Sequence, residues 1–202
     1  MKTHSEIIEE AVIHFKRGGI VVYPTDTVFG VGCVISNIKS IERLYELKNR
    51  QGPTTVLVSS FEMATKYSEI ESPTAKSITG KFWPGPLTLV VKAKEDRVPK
   101  IIQKQKTVGI RVPNYPLISE IIAKLGEPIL GPSANFEGSE PAKKLAGLDK
   151  NFLVKTDYLV EEEPFGLDPS TVIDISDGGL TILRKGPIKN KDLLAFTDSA
   201  II

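Results

Sequence analysis

Short β-branched runs alternate with amphipathic helical patterns along this chain, and this alternation constrains its fold more than any other feature. Apolar residues at helical spacing predict helices at Ser5 to about Arg17, where Ser5 is the N-cap and Gly18-Gly19 the stop, and at Ile38–Lys48, Pro73–Phe82 and Leu117–Leu125. Runs rich in Val, Ile, Leu and Thr predict strands at Ile20–Tyr23, Val56–Ser59, Leu87–Val91, Val108–Val112, Ile129–Gly131, Thr171–Ile175 and Leu180–Arg184. Asp177-Gly178-Gly179 predicts a hairpin turn between the last two strands. The fold class is therefore α/β, or α+β-like, with a mixed sheet flanked by helices.

Length and composition indicate one soluble domain. The 202 residues include 26 Lys and Arg against 25 Asp and Glu, so the net charge of +1 argues against a general nucleic-acid coat. The single cysteine, Cys33, excludes a disulfide framework and a cysteine-rich zinc site, and it fits a reducing compartment. The sequence shows neither a signal peptide nor a run long enough to cross a bilayer. These features predict a cytoplasmic protein.

The sequence lacks the residue patterns of several common catalytic and nucleotide-binding sites. The two histidines, His4 and His14, both lie in the first predicted helix, which disfavours catalysis by a histidine-activated nucleophile. Cys33 lies in an apolar stretch and is interpreted as a small buried residue. Gly30-Val31-Gly32 lacks the third glycine of a dinucleotide-binding loop, and Gly80-Lys81 is followed by Phe82 rather than Ser or Thr. An enzyme of this composition would act through positioning and through cations that stabilise negative charge.

Four cations lie on or beside predicted loops, namely Lys48, Arg50, Arg111 and Arg184. Each also has a structural interpretation. Lys48 and Arg50 could favour the negative end of a helix dipole, whereas Arg111 and Arg184 could protect edge strands from aggregation. None of them identifies a site when taken singly.

Two polar loops follow predicted strands. Thr25 to Gly32 is predicted to be a loop; its first residues, Thr25-Asp26-Thr27, could approach a ligand or form an ordinary turn. Ser133 and Asn135 offer a hydroxyl and an amide, or could cap a helix. A third segment, Phe82 to Pro86, is interpreted as a rigid turn with Trp83 packed on the core.

Seven segments in this order resemble the YrdC/TsaC family of threonylcarbamoyl-AMP synthases. The resemblance runs from about residue 19 to residue 187 and includes the Lys-x-Arg and Ser-x-Asn pairs of the family. The segments are Val22–Gly32, Glu46–Arg50, Phe82–Leu89, Thr107–Pro113, Pro132–Asn135, Ser170–Asp174 and Leu183–Gly186. The resemblance implies a single YrdC-like domain over residues 1–202, with residues 188–202 as a C-terminal tail. It also implies a twisted sheet with a concave basic face.

The implied reaction joins L-threonine, bicarbonate or CO2 and ATP into threonylcarbamoyl-AMP and pyrophosphate, for modification of tRNA next to the anticodon. By position, the resemblance assigns ATP binding to Lys48, Arg50, Thr107, Ser133, Asn135, Pro141 and Arg184, of which Lys48, Arg50 and Arg184 are also catalytic. It assigns threonine binding to Thr27, Arg111, Gly131 and Ser170, with Arg111 suited to the carboxylate through bidentate pairing.

The resemblance further implies Mg2+ carried on ATP, with no protein side chain assigned to the metal, and downstream proteins that transfer the threonylcarbamoyl group to tRNA. A direct contact with tRNA is left open. Two alternatives remain at this stage. One is a non-catalytic module of the same fold that binds tRNA or rRNA. The other is a paralogue with a different carbamoyl acceptor, such as a hydrogenase-maturation domain, although such domains lie in longer chains with cysteine motifs.

Overall fold

The computed structural model describes residues 2–50 and 52–196 of the chain. The helices are α1 (His4–Lys16), α2 (Ile38–Lys48), α3 (Phe61–Tyr67), α4 (Pro73–Phe82), α5 (Pro116–Leu125), α6 (Lys150–Leu153) and α7 (Asn190–Leu194). The strands are β1 (Val21–Tyr23), β2 (Gly30–Gly32), β3 (Thr55–Leu57), β4 (Leu87–Lys92), β5 (Thr107–Arg111), β6 (Ile129–Leu130), β7 (Tyr158–Leu159), β8 (Thr171–Asp174) and β9 (Thr181–Arg184).

The strands form two sheets. The larger has six strands in the order β6-β3-β5-β4-β8-β9, in which β3 pairs parallel with β5, β4 pairs parallel with β8, and the other neighbours are antiparallel. The smaller sheet has the order β2-β1-β7. Backbone hydrogen bonds join them, because the Leu130 N–H donates to the Cys33 carbonyl at 2.9 Å and the Val31 N–H donates to the Pro132 carbonyl at 2.9 Å. The predicted mixed sheet flanked by helices is confirmed.

The six-stranded sheet has two different faces, because alternate residues of a strand point to opposite sides. One face is apolar and contributes to the main core through residues that are almost fully buried, namely Val56, Leu89, Ile110 and Ile173. The other face carries the residues between them, which include Thr55, Thr88, Gly109 and Arg111. This second face is the floor of the cavity described below.

The structure corrects two local predictions. Helix α1 is capped by Thr3 rather than by Ser5, because Glu6 completes a capping box in which its carboxylate accepts from the Thr3 N–H at 2.7 Å. The predicted loop Thr25–Gly32 is wrong at its end, where Gly30–Gly32 forms β2 and pairs antiparallel with β1. Glycine is needed there, since a Cβ on Gly32 would lie 1.9 Å from the Leu130 carbonyl oxygen.

The sequence patterns also missed several short elements, namely α3, α6, α7 and β7. Helix α7 falls in the predicted C-terminal tail, yet Ile188 and Leu193 of this region are buried in the main core. The part of that tail at 197–202 lies outside the described residues. Elements of two to seven residues carry too little periodicity to stand out in a sequence.

Three smaller interpretations also have structural outcomes. Cys33 is fully buried, as expected, and burial raises the pKa of its thiol to about 12. Trp83 packs against the main core and donates its indole N–H to the Leu87 carbonyl, which confirms the predicted turn. Over residues 2–50 and 52–196, no helix combines the length and the hydropathy that crossing a bilayer requires.

The junction of the two sheets leads to a stability prediction. Gly32→Ala is expected to lower the free energy of unfolding by about 1 to 3 kcal/mol, because its methyl group would collide with the backbone of β6. Gly80→Ala is the matched control, since nothing lies within 4 Å of a Cβ there and alanine favours a helix interior by about 0.5 to 1 kcal/mol. Urea denaturation measures both, and a Gly32→Ala protein as stable as the wild type would contradict the close contact.

Candidate active site

A cavity of about 240 Å³ lies over the polar face of the six-stranded sheet. Its walls come from the loop between β1 and β2, the connection from α2 to β3, the residues after β6, and the segment that leads into β8. These segments are far apart in the sequence, and the sheet order brings them to one place. The cavity therefore depends on the packing of nearly the whole described chain.

Three arginines line this cavity. Arg50 follows α2, Arg111 ends β5 and Arg184 ends β9. The pKa of Arg184 lies below its ordinary value, first because the group is desolvated and then because Arg111 and Arg50 carry like charge nearby. Among the described residues that line the cavity, none is acidic. The arrangement is suited to an anion, which would relieve the repulsion between the arginines.

Arg111 is held firmly in the wall. Its side chain is 6% exposed, and its Nε donates to the Gly85 carbonyl at 2.9 Å. One Nη group donates to Thr27 Oγ1 at 2.9 Å and the other to Asp26 Oδ1 at 2.5 Å. A guanidinium carries five N–H groups, so two remain for a ligand. The edge-strand interpretation of Arg111 is wrong, because β5 lies inside the six-stranded sheet.

The hydroxyl of Thr27 is polarised in one direction. Thr25 Oγ1 donates to the Val28 carbonyl at 2.7 Å, so in its 2.8 Å contact with Thr27 Oγ1 it must act as the acceptor. Thr27 Oγ1 therefore donates its hydrogen to Thr25 and accepts one from Arg111. Its remaining lone pair can accept from an ammonium or a hydroxyl group of a ligand in the cavity.

A second polar network lies under the arginine of β9. The Ser170 hydroxyl accepts from Arg184 Nη2 at 3.0 Å and contacts Thr88 Oγ1 at 2.8 Å. Arg184 also donates through Nε to the Ser170 carbonyl at 3.0 Å. Arg184 is on an edge strand, as the structural interpretation expects, but these bonds also orient its guanidinium beside the cavity.

The residues after β6 form the opposite wall. The Gly131 N–H donates to the Thr55 carbonyl at 2.8 Å, and a Cβ on Gly131 would lie 2.5 Å from the Leu57 side chain. Ser133 lines the cavity. No helix begins at Ser133 or Asn135 in the described chain, so the helix-cap interpretation is wrong.

The structure brings together most of the residues that the sequence singled out. The cavity is lined by Thr27, Arg50, Arg111, Gly131, Ser133, Ser170 and Arg184. Four others do not line it, namely Lys48, Thr107, Asn135 and Pro141. Lys48 is buried behind the wall, and Asn135 donates from its amide to the Phe136 and Ser139 carbonyls.

The sequence did not assign Asp26, Thr25 or Thr88 to the site. Asp26 and Thr25 lie in a loop that the sequence did indicate, but the partner of Asp26 is far away in the chain. Both histidines lie on α1, and neither lines the cavity. Within residues 2–50 and 52–196, no three His, Cys, Asp or Glu side chains cluster closely enough to hold a metal ion.

Comparison with curated proteins gives named relatives. A threonylcarbamoyl-AMP synthase of Bacillus subtilis strain 168 is 29% identical over 200 residues, and the alignment covers 96% of this chain and 58% of that protein. This chain thus spans little more than half of that relative. A threonylcarbamoyl-AMP synthase of Photobacterium profundum is 29% identical over 185 residues, which cover 89% of this chain and 98% of the relative.

Solved structures with this fold include Sua5 of P. abyssi in complex with L-threonine, at a TM-score of 0.88 and 28% identity, over 97% of this chain and 58% of that one. The crystal structure of E. coli YciO gives a TM-score of 0.82 and 28% identity, over 95% and 94% of the two chains. The family model Sua5_yciO_yrdC, described as telomere recombination, matches residues 14–186. This chain therefore belongs to the Sua5, YciO and YrdC family.

Proposed function

We propose that this protein is a threonylcarbamoyl-AMP synthase, which forms threonylcarbamoyl-AMP and pyrophosphate from L-threonine, bicarbonate or CO2, and ATP. One observation carries the proposal: three arginines and an acceptor hydroxyl surround one cavity whose described lining contains no acidic group. Such a cavity suits phosphates together with the carboxylate and amine of an amino acid. The relatives that are named as threonylcarbamoyl-AMP synthases support this choice of substrates.

The threonine is proposed to lie beside Arg111. The two remaining N–H groups of Arg111 suit its carboxylate, and the acceptor hydroxyl of Thr27 suits its amine. Gly131 and Ser170 border the same cavity. Because Gly131 has no Cβ, the Leu57 side chain can pack directly against its backbone in the cavity wall. Sua5 of P. abyssi has been solved with L-threonine, which supports the presence of an amino-acid site in this fold.

The triphosphate is proposed to lie between Arg50, Arg184 and Ser133. The guanidinium of Arg50 makes one described hydrogen bond, to the Pro53 carbonyl at 3.0 Å, so most of its N–H groups remain for phosphate oxygens. Magnesium is proposed to enter as part of the MgATP substrate, because the cavity offers hydroxyls and carbonyls rather than the carboxylates that usually hold this ion. Thr107, Asn135 and Pro141 remain predicted nucleotide contacts, outside the cavity.

The proposed chemistry needs no nucleophile from the protein. The neutral amine of threonine attacks the carbon of CO2, and the N–C bond forms as one C–O π bond opens onto its oxygen. The nitrogen then releases a proton to solvent, which gives a carbamate. A carbamate oxygen then attacks the α-phosphorus, the bond from that phosphorus to the bridging oxygen breaks, and pyrophosphate leaves. Arg50 and Arg184 stabilise the charge on the attacking and leaving oxygens, while Arg111 holds the amino acid.

The proposed product is an activated acyl-adenylate, which can donate its threonylcarbamoyl group to tRNA. We propose that a protein that carries out this transfer is the downstream partner and that the reaction takes place in the cytoplasm. A direct contact with tRNA is not required for this reaction. The near-neutral net charge of +1 is compatible with a local cavity for anions and gives no support to a broad RNA-binding surface.

The test is incubation of the protein with MgATP, bicarbonate and each amino acid in turn, with pyrophosphate measured and the adenylate identified by mass spectrometry. We expect pyrophosphate and threonylcarbamoyl-AMP only with threonine and bicarbonate together. Release with another amine would assign a paralogue with a different acceptor. No amine-dependent pyrophosphate, together with RNA binding that weakens steeply as salt increases, would favour the non-catalytic module.

A further inference from the structure

Lys48 is a buried lysine whose ammonium group binds backbone. The residue is 2% exposed, and its Nζ donates to the Ser133 carbonyl at 2.7 Å and to the Asn135 carbonyl at 2.6 Å. Nζ also lies 5.9 Å from the centre of the Phe152 ring. In the described chain Lys48 forms no ion pair with a carboxylate. Its charge is therefore stabilised mainly by the carbonyls of one loop.

That loop, residues 131–137, carries Ser133 into the cavity. The first two residues of the loop are paired with β3 and β2 through the Gly131 N–H and the Pro132 carbonyl. Beyond them, the Ala134 N–H donates to the Phe29 carbonyl at 2.8 Å, and the Glu137 N–H donates to the Lys48 carbonyl at 3.3 Å. Lys48 thus contacts the loop through both its side chain and its backbone. Charge-assisted hydrogen bonds are about twice as strong as neutral ones, so the two bonds of the ammonium group add a strong restraint at Ser133 and Asn135.

We propose that Lys48 is a positioning residue whose ammonium group holds the Ser133 and Asn135 carbonyls, and so fixes the Ser133 hydroxyl at the cavity, instead of binding phosphate itself. The role in the reaction rests on the proposed function, whereas the effect on the loop does not. Lys48 does not line the cavity, and two of its three N–H groups already have partners. Lys48 and Arg50, two residues apart, therefore have different tasks.

The charges around Lys48 make this restraint sensitive to pH. Desolvation and the nearby positive charge of Arg50 lower the pKa of Lys48 to about 8, and Glu137 acts in the opposite direction. Because the pKa of the lysine is depressed in the fold, the charged form and its stronger bonds are present below about pH 8 and are lost as the pH rises. An anion bound at Arg50 would offset the repulsion and favour the charged form.

The test measures amide hydrogen exchange in the peptide that covers residues 131–137, without any substrate. In Lys48→Met, which keeps the length of the side chain, exchange in this peptide is expected to be at least about tenfold faster than in the wild type, the loss expected from one or two hydrogen bonds. Lys39→Met, at an exposed position of the same helix, is the control and should change nothing. Unchanged exchange in Lys48→Met would overturn the proposal.

A double-mutant cycle connects the loop to the reaction. If Lys48 acts through Ser133, then Lys48→Met should lower kcat/KM for MgATP strongly in the wild type and much less in the Ser133→Ala background. Fully additive losses would instead assign Lys48 a direct contact with phosphate. If the wild type released no threonine-dependent pyrophosphate, the proposed function would be rejected. The hydrogen-exchange experiment would still test the effect of Lys48 on the loop, because it uses no substrate.

A measurement on the unmodified protein covers the case in which Lys48→Met does not fold. After correction for the intrinsic exchange rate, the 131–137 peptide is expected to lose protection about threefold or more between pH 7 and pH 9.5, as the strength of charge-assisted bonds requires. The peptide that covers α5 is the internal control and should keep its protection. Equal protection of both peptides at both pH values would overturn the proposal.

Discussion

Arg50→Ala is expected to slow threonine-dependent pyrophosphate release by about a hundredfold or more. A well-placed donor to charge that develops in the transition state contributes about 2.7 to 4 kcal/mol. Arg50 lines the cavity, and the only described hydrogen bond of its guanidinium goes to a neutral carbonyl, that of Pro53. The guanidinium is therefore available to the proposed triphosphate, and its loss should affect kcat more than the fold. The measurement is steady-state release of pyrophosphate with saturating threonine and bicarbonate.

The matched control for this prediction is Arg97→Ala. The side chain of Arg97 is 65% exposed, and its one ion pair among the described residues is with its neighbour Asp96, at 3.4 Å, so its removal should leave the rate unchanged. Thermal unfolding of both variants would show that neither has lost its structure. A decrease of less than threefold in Arg50→Ala would remove Arg50 from the proposed mechanism.

Asp26→Ala is expected to lower the free energy of unfolding by about 3 to 5 kcal/mol, which is the effect of breaking a buried ion pair from one side. The side chains of Asp26 and Arg111 are 8% and 6% exposed, and a distance of 2.5 Å separates Asp26 Oδ1 from Arg111 Nη2. Without the carboxylate, the guanidinium would be a buried charge whose only described partners are the neutral Thr27 hydroxyl and Gly85 carbonyl. Urea denaturation of the two proteins measures the difference.

An exposed ion pair provides the comparison. Asp96→Ala removes a carboxylate that is 78% exposed from its pair with Arg97, and should cost less than about 1 kcal/mol. The double variant Asp26→Leu with Arg111→Met removes both buried charges, so it should recover much of the stability while abolishing activity. If Asp26→Ala were no more destabilising than Asp96→Ala, the result would contradict our view that the Asp26 carboxylate stabilises the buried charge of Arg111.

The sequence predicted the boundaries of helices best where the periodic pattern of apolar residues extends over several turns. Helices α2 and α4 have the predicted boundaries, and the strands that form the floor of the cavity differ from prediction by one or two residues. Helix α7 and strand β7 were missed, because their position depends on tertiary packing, as the burial of Leu193 shows. The short elements are stabilised by contacts that no local pattern encodes.

For the site, residue types could be predicted and contacts could not. The Pro-Thr-Asp-Thr loop was a candidate because of its polar side chains, but only the structure pairs Asp26 with Arg111, 85 residues away. The contact between Thr88 and Ser170 likewise joins residues 82 apart. Lys48 shows that neighbours in the sequence can have different surroundings. It lies two residues from Arg50, but its ammonium group binds the Ser133 and Asn135 carbonyls, whereas Arg50 lines the cavity.

The cavity draws its walls from residues between Thr25 and Arg184, so no short segment of the chain contains it. Substrates can therefore bind only to the native state, and binding must add to the stability of the entire fold. A ligand at a hundred times its Kd contributes about 2.7 kcal/mol in this way. Starvation for the proposed substrates would leave the protein closer to unfolding and to proteolysis, so the abundance of the protein would itself follow the supply of its ligands.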